Sequence, residues 1–229
     1  MKLKKVTQDQ NASRNRWYDD ACGTALALEL VGERWSLLIV RELMFGGRRF
    51  GELKGALPGI SANILTQRLE GLEASGILAK RKLPPPASVQ IYELTPWGHE
   101  SERAIQELGR WAVRSHDHDV TLPLSAASIM MSFRTMYTPS RATALLGRTV
   151  GFTLGSEHFR ATLEAGEIAI RRSEEAADVQ FATDPMTLAS VVYGGRPIAD
   201  AEGAGALTII GDRALGAHFV TLFVLPDKL

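Results

Sequence analysis

Asn63, Thr66, Gln67 and Glu70 fall on one side of a helix-forming stretch, and Leu65, Leu69 and Leu72 fall on the other. Asn and Gln present paired donor and acceptor groups that fit an adenine edge, and Thr can meet a thymine methyl. An outward face of this kind, free of Lys/Glu pairs, is suited to reading base edges; the plainer alternative is a solvated polar face. Ser61 precedes the stretch as a good N-cap and could also offer the helix end to a phosphate. Arg68 sits at the edge of the apolar stripe, where it either reaches a phosphate or pairs with a nearby carboxylate. Arg48, Arg49, Lys80, Arg81 and Lys82 supply cations for DNA backbone or minor groove. The alternative for the last three is a solubilising strand edge.

Other reactive residue types lead nowhere so specific. Cys22 is the single cysteine, which excludes an intramolecular disulfide and suits a reducing compartment. Nothing local marks it as activated, and a small core residue on an apolar stripe is the competing reading. His116-Asp117-His118-Asp119 has a metal-like composition but lacks a distant His, Cys or Glu cluster to complete it, so it reads as a polar linker and no metal is expected. His158 and His218 stand alone. No nucleophile–base pair can be argued from spacing, so neither an enzyme nor a cofactor is expected.

These residues need elements to position them. The chain has 229 residues, long enough for two domains, and its 45% hydrophobic and 23% charged content is that of a globular protein rather than a disordered one. Lys/Arg and Asp/Glu balance at 26 each, which argues against a nonspecific coat for polyanions. The balance is uneven along the chain: residues 41–82 carry eight basic side chains against four acidic. The first 17 residues have charge but no apolar core, and no apolar run nears ~20 residues. A cytoplasmic protein, nucleoid-associated when bound to DNA, is therefore expected, with no membrane partner.

Periodicity predicts helices over 18–31 (with Cys22, Leu26 and Leu30 on one stripe), from Trp35 to Leu43, and over 50–57. A further helix starts at Ser61 and ends before Gly76. Two strands, 77–83 and 89–95, flank a proline-rich tip. Thr95-Pro96 then opens a long helix whose face of Ile105, Leu108 and Trp111 is wider than a small winged domain needs for its own core, and so is a candidate dimer surface. The whole reads as a helix-turn-helix with a basic β-wing.

The residues Leu30-Val31-Gly32-Glu33-Arg34-Trp35, Arg49-Phe50-Gly51-Glu52-Leu53, Pro58-Gly59-Ile60-Ser61, Leu65-Thr66-Gln67-Arg68-Leu69 and Tyr92-Glu93-Leu94-Thr95-Pro96-Trp97-Gly98 together resemble HxlR-type, MarR-like winged-helix regulators over about 17–115. The resemblance implies a bacterial homodimer joined through the first and last helices of the domain, bound to a near-palindromic double-stranded DNA operator. It also raises a redox-sensing role for Cys22.

Beyond a short linker, strand-like runs at 151–154, 158–163, 168–172, 179–183 and 207–210 alternate with helices near 125–136, 185–193 and 212–223, giving an α+β arrangement with an antiparallel sheet. Gly151-Phe152, Ala177-Asp178-Val179, Thr183-Asp184-Pro185, Tyr193-Gly194-Gly195-Arg196-Pro197 and Gly205-Ala206-Leu207-Thr208-Ile209 resemble a sterol-carrier-protein-2-like domain over about 125–227. That resemblance implies an apolar cavity for a hydrophobic small molecule, which Phe152, Met186, Phe219 and Phe223 could line if they are not plain core.

The expected organisation is a flexible segment at 1–16, a winged helix-turn-helix and dimerisation domain at 17–119, and a ligand-binding domain at 120–229. The expected function is a ligand-responsive repressor acting as a homodimer on an inverted repeat. Two alternatives stand beside it: a thiol-based redox regulator working through Cys22, and a hydrophobic-ligand carrier that uses its winged domain to dimerise.

Overall fold

The computed structural model describes residues 18–85 and 88–229. The 1–16 segment and the Pro86-Ala87 part of the wing tip lie outside the described residues. The first half runs α1 (Gly23–Val31), α2 (Ser36–Leu43), α3 (Phe50–Ala56), α4 (Ala62–Ala74), β1 (Leu78–Lys82), β2 (Gln90–Leu94), α5 (Pro96–Glu100) and α6 (Glu102–Ala112). Local chemistry explains the boundaries. Ser61 Oγ accepts from the Ile64 amide at 3.2 Å to start α4. Thr95 Oγ1 accepts from the Gly98 amide at 3.0 Å, with Pro96 at the first position of α5. The long helix expected after Thr95 breaks at Ser101, whose hydroxyl donates to the Gly98 carbonyl at 2.6 Å.

The second half contains α7 (Ala126–Met136), β3 (Thr149–Leu154), β4 (Glu157–Leu163), β5 (Ile168–Arg172), β6 (Val179–Thr183), α8 (Pro185–Val192), α9 (Ile198–Gly203), β7 (Leu207–Gly211) and α10 (Arg213–Phe219). Its five strands lie in the order β5-β4-β3-β6-β7. The sheet is mixed, which corrects the antiparallel expectation: β3 and β6 run parallel. Alternation marks a strand but not the direction of its neighbour. Here the polar 173–178 segment returns the chain across the sheet, and Asp178 fixes where β6 begins. Its carboxylate accepts from the Thr149 amide at 2.7 Å and the Thr149 hydroxyl at 2.9 Å. Gly151 of β3 lies beneath the side-chain amide of Gln180 in β6, which would have to move to admit a Cβ.

One sheet face, with Val150, Phe152, Phe159, Ile170 and Phe181, is buried with α7 and α10. Phe133 of α7 stacks on Phe223 with centroids 4.4 Å apart and lies within 5.7 Å of Phe152 and 5.6 Å of Phe219. Aromatic rings at these spacings gain both burial and edge or offset stacking.

The halves are not beads on a linker, because a single buried cluster runs through both. α7 packs on α2 and α6. At its start, Ser125 Oγ donates to the buried Glu42 carboxylate at 2.6 Å, and Arg41 holds the same carboxylate at 2.8 Å. Phe45 meets Phe159 edge-on at 5.7 Å. Near the chain's end, the Lys228 ammonium donates to the carbonyls of Val113 and Ser115. Among the described residues, no helix is long and apolar enough to cross a membrane.

Candidate nucleic-acid interface

α4 is held by its apolar side, where Leu65, Leu69 and Leu72 are buried, and leaves Asn63, Thr66, Gln67 and Glu70 exposed. The expected reading face is therefore presented to solvent on a rigid element. Arg68 fixes the rotation of the helix. Its guanidinium pairs with Glu33 at 2.5 Å and donates to the Arg34 carbonyl at 3.0 Å, tying α4 to the α1–α2 turn. Of the two options open for Arg68, the carboxylate is the one realised. Glu33 was not singled out as a site residue, although it stands in the Gly32-Glu33-Arg34-Trp35 run. In that turn Trp35 adopts a left-handed backbone (φ 83°) under the Arg34 guanidinium, 5.3 Å from the ring.

β1 and β2 form an antiparallel wing in which Lys80 pairs with Tyr92, Arg81 with Ile91 and Lys82 with Gln90. The cations are not equivalent. Lys80 is 2.7 Å from Glu73 of α4, and the pair holds the Glu73 carboxyl below its ordinary value and the Lys80 ammonium above. Arg81 meets Glu93 at 3.0 Å but is 59% exposed in its side chain, so water and salt weaken that pair. Lys82 and Arg49 are exposed, and neither has an ion-pair partner among the described residues. Lys80, Arg81 and Lys82 border an open depression with Ser88 and Gln90. Arg48 breaks the expectation. It is 7% exposed and turns inward, gripping Glu157 of the second half at 2.7 and 3.3 Å. Buried and turned onto the Glu157 carboxylate, Arg48 does not face solvent, so it leaves the set of candidate DNA contacts.

The remaining site residues divide clearly. α6 has no buried residue; Ile105 is half-buried, while Leu108 and Trp111 are 49% and 72% exposed. Leu26 and Leu28 of α1 are exposed as well, so of the Cys22–Leu26–Leu30 stripe only Leu30 packs against this chain's own core. Cys22 is itself exposed at the start of α1. Hydrogen bonding by the Thr24 amide, the Thr24 side chain and the Ala25 amide pulls its thiol below the ordinary value. The core reading of Cys22 is thereby corrected. Phe152, Phe219 and Phe223 are buried against one another and Phe133, as the plain-core alternative expects, while Met186 is half-buried on α8. Asp119 of the His/Asp run accepts from the Thr121 amide and hydroxyl at 2.9 and 2.6 Å.

Residues 30–120 match the family described as HxlR-like helix-turn-helix. The HTH-type transcriptional regulator YvaP of Bacillus subtilis (strain 168) is 38% identical over 87 residues, covering 38% of this chain and 80% of that relative. This chain belongs to the HxlR-like helix-turn-helix family. YodB, an HTH-type transcriptional regulator of the same organism, is 38% identical over 86 residues, 38% of this chain and 77% of YodB. The solved reduced form of YodB from B. subtilis aligns over 44% of this chain and 99% of its own, at 34% identity and a TM-score of 0.39. The family match spans α2 to α6 and the end of α1, including the α4 face and the wing; the five-stranded half lies outside it.

Proposed function

We propose that the chain is a DNA-binding transcription regulator that acts as a homodimer on an inverted-repeat operator, as a repressor. One observation carries the reading: α4 exposes Asn63, Thr66 and Gln67 beside a wing with an exposed Lys82, with Arg49 exposed at the start of α3. In this assignment α4 enters the major groove and Arg49, Arg81 and Lys82 meet the backbone or minor groove. Lys80 reaches a phosphate by exchanging Glu73 for it, and Ser61 presents the α4 end to another. The relatives' names as transcriptional regulators accord with this reading. The test is selection of a duplex from a random pool, followed by binding of the full chain to it in rising salt. A selected inverted repeat with salt-sensitive affinity is expected; no enrichment and no duplex binding would reject the assignment.

The exposed apolar faces of α1 and α6 suit a two-fold partner, with Leu108 and Trp111 at the contact and Ile105 at its margin. Sedimentation at micromolar concentration should give a dimer, and Leu108→Glu a folded monomer, because Leu108 is not part of the chain's own core. A Leu108→Glu variant that remains dimeric would move the interface elsewhere. The five-stranded half keeps a sterol-carrier-protein-2-like architecture in this account as a packed module. The carrier alternative and a hydrophobic effector both need a void, and the close packing of Phe133, Phe219 and Phe223 favours the packed module over them.

A second reading, thiol sensing, is favoured by the exposed, acidified Cys22. In the native protein Cys22 should react with a maleimide, with the midpoint of its rate-versus-pH profile below the roughly 8.5 of a free thiol. Cys22→Ser should abolish release from DNA under mild oxidant. Labelling confined to denatured protein would end this reading.

A further inference from the structure

The five-stranded half touches the winged half in several places, and one of them reaches the wing. Arg48 stands between α2 and α3, and its main chain pairs with Tyr92 of β2 in both directions, each N–H to carbonyl distance being 2.8 Å. It thereby forms a third rung at the wing's base. Its side chain belongs to the other half: the guanidinium grips Glu157, the first residue of β4, through two nitrogens. Glu157 also accepts from Arg172 at 2.7 Å, so one carboxylate holds two cations in a largely buried place. Burial, and then the neighbouring Arg48 charge, pull the Arg172 pKa below the usual guanidinium value, while Glu157 and, less, Glu42 oppose both. Glu52 of α3 stands 3.5 Å from Arg48 but is half exposed and cannot replace a bidentate partner.

We propose that Glu157 is a positioning residue for the DNA-binding wing, holding Arg48 and, through its main chain, both Tyr92 and the neighbouring Arg49. The proposal rests on the DNA-binding assignment above. Without the Glu157 charge, two guanidiniums face each other in a largely buried place, and Arg48 withdraws. Its main chain moves with it. Tyr92 is the strand partner of Lys80, whose ammonium lies 6.0 Å over the Tyr92 ring, so the shift passes to the cationic strand. Arg49, next in sequence and the start of α3, shifts too. The α4 face hangs on Leu65, Leu69, Leu72 and the Arg68–Glu33 pair, and is spared. The five-stranded half thus acts as a brace that sets the backbone-contacting cations and not the base-reading face.

The test uses the full chain with Glu157→Gln, Arg48→Met and the double variant, and Glu202→Gln as a control that breaks only a surface pair with Arg213. Amide hydrogen exchange is read at Arg48 and Tyr92. In Glu157→Gln both amides should exchange about tenfold faster while α4 amides do not. Affinity for the selected duplex and for a scrambled one should fall alike, by about fivefold. The double variant should be no worse than Arg48→Met, and Glu202→Gln should match wild type. Unchanged exchange at the two amides, or acceleration spread evenly through both halves, overturns the proposal, as does a loss confined to the selected duplex. If the wild-type chain binds no duplex, the DNA-binding assignment fails, and the exchange result still decides whether Glu157 holds the base of the wing.

Discussion

Phe133→Ala should destabilise the protein by about 3–5 kcal/mol, the range for a large aromatic removed from a tightly packed interior. The Phe133 ring is completely buried and lies against Phe152, Tyr193, Phe219 and Phe223, each of which is itself held on a strand, helix or turn. Such neighbours cannot all collapse into the space, so most of the cavity cost remains. Because α7 also packs on α2 and α6, the loss should appear as one cooperative transition of both halves. Urea unfolding followed by tryptophan fluorescence measures it; Trp35, Trp97 and Trp111 all lie in the winged half. A cost under about 1 kcal/mol would mean that the ring borders a void, and the ligand cavity would have to be reinstated.

Gln67→Ala should weaken binding to the selected duplex by about 1–3 kcal/mol, roughly 5- to 150-fold, and binding to scrambled DNA far less. Gln67 is exposed on α4 and makes no side-chain hydrogen bond among the described residues, so its removal costs the free protein little. Whatever is lost is then lost from the complex. Asn63, one turn nearer the α4 N-terminus, should behave in the same way, because that end of a recognition helix lies deepest in the groove. Lys82→Ala should instead weaken all duplexes equally and lower the salt slope by about 1.

What could be read in advance was local. The capping roles of Ser61, Thr95 and Asp184, the β5 and β6 boundaries, and the exposed α4 face all follow from residue types within a few positions of one another. What could not be read depended on distant partners. Arg48 and Glu157 are 109 residues apart, and beside Arg49 on the page Arg48 looks like another surface cation. The direction of β6 depends on Asp178 meeting Thr149, which no alternation pattern encodes. The apolar period of α1 at Leu26 is the same whether a core or a second protomer covers it. α9 was missed because Ile198–Gly203 has little apolar periodicity to mark it. The phenylalanines assigned to a cavity were legible as apolar, but filled and empty interiors need the same residues.

The division of labour between α4 and the wing is tested most directly by fluorescence anisotropy of Gln67→Ala and Lys82→Ala on the selected and scrambled duplexes across a series of salt concentrations. Gln67→Ala should lose affinity for the selected duplex at an unchanged salt slope, and Lys82→Ala should lose affinity for both with a slope reduced by about 1. If the two variants lose specific and nonspecific affinity in equal proportion, or neither loses any, α4 and the wing do not share DNA binding in this way.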